Sequence, residues 1–137
     1  LGTDFGLKDS PGLADTGNFR LHGAGAFNYT FNFSDGDTFL WPAPWMFWFA
    51  REYNRPEYAI HECWASEAHP TIFHLIWANG GAPPTKLPRN PKLDALFRNI
   101  DTACFRSAWQ DPAATWYGLW LLCRAQSVPS RPVPAAL

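Results

Sequence analysis

A chain of 137 residues, 47% hydrophobic, 17% aromatic and 17% charged, has enough apolar material for one modest core and too little length for two. That balance excludes a disordered tail, and eight Trp call either for large packed interiors or for flat faces on which ring-shaped ligands stack. A net charge of −1 with scattered Lys and Arg excludes a nucleic-acid partner, and Arg51, Glu52, Glu57 and Glu62 break the apolar stretches well before the roughly 20 residues of a membrane span.

Residues 1–40 are rich in Gly, Asp, Asn, Ser and Thr, and Pro11-Gly12, Thr16-Gly17 and Asp35-Gly36 read as turns. They predict one long ordered loop, and a loop of that length in a compact domain is usually functional. Leu1 is not a Met, and Leu1 to Ser10 carries neither a basic leader nor an apolar segment, so the sequence is expected to begin inside a longer protein.

Residues 41–81 predict three short antiparallel helices. Pro44 opens the first, to Tyr53, with Trp45, Trp48, Phe49 and Tyr53 on one face. Asn54 and Glu57 have capping-box spacing around Pro56 and start the second, to Ala68. Pro70 opens the third, where Phe73, Ile76 and Trp77 share a face and Asn79-Gly80-Gly81 supplies the stop. Residues 82–95 are proline-rich and read as an extended linker. Residues 96–120 predict strands over Leu96–Ile100, Thr102–Arg106 and Ala114–Trp120, with a turn at Asp111-Pro112. Residues 121–137 have no strand pattern and are expected to be an irregular tail, frame-shifted or at an assembly end near Trp120. Cys63, Cys104 and Cys123 lack paired metal or redox spacing and read as buried or incidental thiols.

The run Pro11-Gly12-Leu13-Ala14-Asp15-Thr16-Gly17-Asn18-Phe19, then Gly25, then Phe31-Asn32-Phe33-Ser34-Asp35-Gly36, resembles the heparinase II/III-like polysaccharide lyase family, as does the later Cys104-Phe105-Arg106-Ser107-Ala108-Trp109. The resemblance covers about residues 11–120. It implies a mainly α fold with a β start: the last helices of an incomplete (α/α) toroid, then the first strands of an antiparallel β-sandwich, as an internal fragment. It also implies cleavage of uronic-acid glycans by β-elimination, a periplasmic or secreted setting, an acidic polysaccharide or oligosaccharide as partner, and no cofactor. β-Elimination needs a donor that neutralises the uronate carboxylate, a base for the C5 proton and an acid for the departing oxygen. In the family the toroid residues that do this precede the matched segment, and a further His follows it. No residue here is therefore assigned a catalytic role, and the fragment is expected to be inactive alone.

The candidate substrate-binding residues are Asn32, Asp35, Tyr29, Trp41, His22 and Arg106. Asn32 and Asp35 could bond sugar hydroxyls or satisfy their own loop through Asx-turns. Tyr29 could line a cleft or donate a proton, although an aromatic in the Phe27 to Phe33 run more often packs. Trp41 is a better stacking candidate than Trp45 or Trp48, whose helical spacing favours the core. His22 lies beside Gly23 and Gly25 in the expected loop, where it could approach substrate. The planar fork of Arg106 could pair with an acidic sugar or serve as an interdomain salt-bridge partner. His61, His69 and His74 show no metal-ligand spacing. Two other functions stay open: a non-catalytic carbohydrate-binding module, and a toroidal glycoside hydrolase, for which Asp15 and Asp35 are the loop carboxylates to test.

Overall fold

The computed structural model describes residues 3–25, 29–32, 36–78, 91–109, 111 and 113–120. Within them, four helices precede a three-stranded antiparallel sheet: α1 (Leu13–Gly23), α2 (Met46–Glu52), α3 (Pro56–Ser66), α4 (Ile72–Ala78), then β1 (Ala95–Phe97), β2 (Thr102–Arg106) and β3 (Trp116–Trp120). The expected loop over 1–40 is corrected at its centre by α1, and a short 3-10 turn, Leu7–Asp9, comes before it. Gly12, at φ 82°, takes the left-handed conformation that glycine allows without strain and leads into Leu13.

Gly17 lies inside α1 because the helix needs a notch there. A Cβ on it would come within 2.7 Å of the Tyr58 ring, which is fully buried on α3 and donates its hydroxyl to the Ala14 carbonyl at 3.2 Å. Burial pushes the Tyr58 hydroxyl up to about 12, so it stays a proton donor. Ala43, Met46, Phe49 and Tyr58 form the main core, with Leu13, Trp45, Trp48, Ala50 and Tyr53 packed around it. Helices α2, α3 and α4 start close to their expected prolines, and Pro56 occupies the first turn of α3. Asn54, however, does not cap α3. It stands at φ 51° just beyond α2, a left-handed position that Asn tolerates, and the α3 N-cap is Arg55, with no side-chain cap bond. Arg51 on α2 donates to the Trp77 carbonyl of α4 and ties these two helices.

In the sheet, Leu96 aligns with Ala103 and Ala103 with Leu119, while Phe105 aligns with Tyr117 and Arg106 with Trp116. The expected first strand is shorter than Leu96–Ile100. Arg98–Ile100 turns as a 3-10 segment, and Asp101, at φ 47°, reverses the chain into β2. Alternation puts Phe97, Arg106 and Trp116 on the α1 side, where Phe97 meets Phe19 edge-on at 5.1 Å. The other side carries Leu96, Phe105, Tyr117 and Leu119, all exposed. Most of the 82–95 linker and all of the 121–137 tail, with Cys123, lie outside the described residues. Cys63 and Cys104 are free thiols, and burial pushes both up from their usual range.

Candidate functional site

Two of the six candidates meet on one exposed surface. Tyr29 pairs with Phe39 across an isolated antiparallel bridge, while the amide of Thr30 donates to the Thr38 carbonyl at 2.8 Å. Trp41 lies two residues beyond Phe39, and the two rings meet edge-on at 5.1 Å. The His69 ring meets Phe39 edge-on at 6.1 Å. Tyr29 is 56% and Trp41 62% exposed, so both side chains reach solvent. The indole is held in place: its Nε1–H donates to Asp37 at 3.0 Å, and the other Asp37 oxygen accepts the Phe39 amide at 3.1 Å. These two donors, the Phe39 amide first, hold the Asp37 carboxyl below its ordinary range. An open aromatic face with a fixed carboxylate acceptor at its edge suits a pyranose ring, whose C–H face stacks and whose hydroxyls donate.

The strand pair is tied to the sheet through Phe31. Phe31 stacks on Trp116 with centroids 3.6 Å apart, and Gly25 and Gly118 make room, since a Cβ on either would come within 2.6 Å of the Trp116 or Phe31 ring. Asn32 follows Phe31 and is exposed. Asp35 lies outside the described residues, and with it the Asp15 and Asp35 pair; Asp15 itself is exposed on α1.

His22 and Arg106 go elsewhere, and their expected place at a ligand surface is corrected. His22 falls on the last turn of α1 and is 2% exposed, its ring between Trp109 at 5.4 Å and Phe97 at 6.1 Å. Burial, helped by the charge of Arg106, pushes it down to about 4, so it is neutral at physiological pH. Arg106 is the clamp that closes α1. Its Nη2 donates to the carbonyls of Leu21, His22 and Ala24 at 3.3, 3.2 and 2.7 Å, and its guanidinium lies 3.7 Å over the Trp109 ring. Trp116 adds its indole N–H to the His22 carbonyl at 3.0 Å. The last carbonyls of a helix lack internal partners and carry its negative dipole end, so a cation there both satisfies and neutralises them. Burial lowers Arg106 to about 10, still fully charged at neutral pH. Arg106→Ala is expected to cost about 3 kcal/mol, from lost charge-assisted bonds and stacking, and Arg106→Lys about half of that because the planar contact is lost. Urea midpoints at unchanged slope measure it; equal stability of all three proteins would contradict the clamp.

Sequence reasoning missed Phe39, Asp37 and His69 at the surface. The alternation Asp37, Phe39, Trp41 was the available signal, since residues two apart share a face in extended chain. It also missed Glu62, the charged centre beneath. Glu62 is fully buried and accepts from Arg20 at 3.3 Å, from His74 Nε2 at 3.1 Å and from the Ala43 amide. The Thr71 amide donates to His74 Nδ1 at 2.9 Å, which fixes the tautomer that carries its proton on Nε2. Arg20 also donates to the Trp41 carbonyl, so this interior network carries the base of the aromatic surface.

No group of three or more His, Cys, Asp or Glu is placed to hold a metal ion among the described residues, and none of their helices is long and apolar enough to cross a membrane. Compared with family models, with curated proteins and with solved structures, the chain finds no match.

Proposed function

We propose that these residues form part of a polysaccharide lyase that cleaves uronic-acid glycans by β-elimination, the helices belonging to an incomplete (α/α) toroid and the strands to an antiparallel β-sandwich. The observation that carries this is the open Tyr29, Phe39 and Trp41 surface at the junction of helices and sheet, within the segment that resembles the family. Two further features support it. The sheet packs one face on α1 and leaves Leu96, Phe105, Tyr117 and Leu119 open, as a sandwich sheet does before its partner sheet covers it. Helix α4 buries only His74 and exposes Ile72, Phe73, Leu75 and Ile76, which suits a helix with neighbours on both sides in a toroid.

The role of these residues is to bind. Tyr29 and Trp41 stack a sugar ring, with Asn32 beside them as a hydroxyl partner. His22 and Arg106 are committed to the end of α1, so the proton-transfer groups and the carboxylate neutraliser come from elsewhere in the enzyme. On this reading the protein belongs in the periplasm or outside the cell, where acidic polysaccharides are met. A non-catalytic carbohydrate-binding module is the second reading, favoured by the exposed aromatic surface itself, which needs no further group in order to bind.

Calorimetric titration of the 137-residue chain with heparin-type and alginate oligosaccharides is expected to show binding with no unsaturated product. Trp41→Ala should weaken it roughly three- to tenfold. Unsaturated product from this chain alone would contradict the division of labour, and no binding to any uronate-containing glycan would contradict the proposal.

A further inference from the structure

Asp37 gives the aromatic surface a sign. Its two oxygens are held by the Phe39 amide and the Trp41 indole, so a fixed negative charge stands at the edge of the most exposed ring. With the Thr38 amide also acting on it, the carboxylate is an acceptor only, and a sugar hydroxyl that reaches it can donate to it. The nearby cation does not offset it: Arg20, which donates to the Trp41 carbonyl, is paired with buried Glu62. His69 sits against Phe39, and Glu67, two residues before it, adds a second exposed acid. Stacking here is therefore open to any pyranose, while a carboxylate on that pyranose meets like charge.

We propose that the Tyr29, Phe39 and Trp41 surface seats an uncharged pyranose unit rather than a uronate, and that Asp37 sets this preference. Resting on the carbohydrate reading above, this ranks glycans in which uronate alternates with an uncharged sugar above a uniform polyuronate, which would always present a carboxylate here and so bind more weakly. The surface then holds the neutral neighbour while the uronate lies at the reacting position, which keeps the acidic residue in register with groups supplied elsewhere.

The test compares two β-1,4-linked tetrasaccharides, one of N-acetylglucosamine and one of mannuronate, titrated into the unmodified chain at low and at high salt. The neutral tetramer is expected to bind about threefold more tightly at low salt, with the difference fading at high salt, as for one screened charge pair. Asp37→Asn should bring the two affinities together, and Trp41→Ala should weaken both. Equal or tighter binding of the mannuronate tetramer, a preference that survives high salt, or no binding of either would overturn the proposal. The salt series on the unmodified chain decides the matter even if the Asn substitution loosens the hairpin. Failure of the lyase proposal shows separately, as an absence of unsaturated product from the longer enzyme, and leaves this preference standing.

Discussion

Glu62→Ala should lower stability by about 3–5 kcal/mol, a large share of the 5–15 kcal/mol typical of a whole domain. The carboxylate is wholly buried and takes donors from three places: Arg20 on α1, His74 on α4 and the Ala43 amide before α2. Its removal leaves a buried guanidinium without its counter-charge and two N–H groups without acceptors. Those losses, rather than the net worth of the pair, set the size of the effect. Glu62→Gln keeps shape and one acceptor, and should cost about half as much. The exposed Glu67→Ala should stay within about 0.5 kcal/mol. Urea unfolding measures all three, and a Glu62→Ala loss below about 1 kcal/mol would show that the network does not hold the helices together.

The second large effect is acid sensitivity in a window set by histidines. His61 is buried on α3 and neither ring nitrogen has a partner among the described residues; Arg20 from α1 and Arg106 from β2 face it, and Glu62 follows it on α3. Burial first, then the two arginines, push it down to about 3. His22, pushed to about 4 by burial and by Arg106 and Arg55 against the opposing pull of Asp94, behaves alike. Both are neutral when folded, while in the unfolded chain they protonate near 6.5. Between these values the unfolded state binds more protons, so stability is complete above about pH 6.5 and falls as pH drops. The decline levels off below about pH 3, once the folded histidines also protonate. By pH 4 the loss from His61 alone is on the order of 3 kcal/mol. His61→Leu should leave stability at pH 7 equal or higher, since it removes two unpartnered polar atoms, and should remove much of the acid slope. A melting temperature flat from pH 7 to pH 4.5, or a slope unchanged in His61→Leu, would contradict this.

Legibility in the sequence followed the range of the forces involved. Prolines 44, 56 and 70 and the apolar spacing after them are local signals, and they located α2, α3 and α4 close to where they lie. The strands at Thr102–Arg106 and Trp116–Trp120 were legible for the same reason, through alternation and aromatic content. Helix α1 was not. Its buried stripe is Gly17, Leu21, His22 and Gly23, so the periodicity that marks a helix has almost no apolar side chains to show it. The reason for Gly17 is the Tyr58 ring on α3, 41 positions away. With α1 read as loop, His22 was placed at a surface that it does not reach. Glu62 looked like an ordinary helix charge, because nothing near it in sequence reveals that Arg20 and His74 converge on it. Trp41 was legible as a stacking candidate and Tyr29 only as one alternative within an aromatic run, while Asp37 needed the hairpin to bring its two donors together.

The central claim is that this aromatic surface serves a lyase. It is tested most directly by mixing a longer protein that contains this chain with alginate and with heparin-type glycans, while following ultraviolet absorbance and reducing ends together. The account predicts that the absorbance of a 4,5-unsaturated uronate rises in step with new reducing ends, because β-elimination creates the double bond at each break. Reducing ends that appear without that absorbance would show hydrolysis and contradict it.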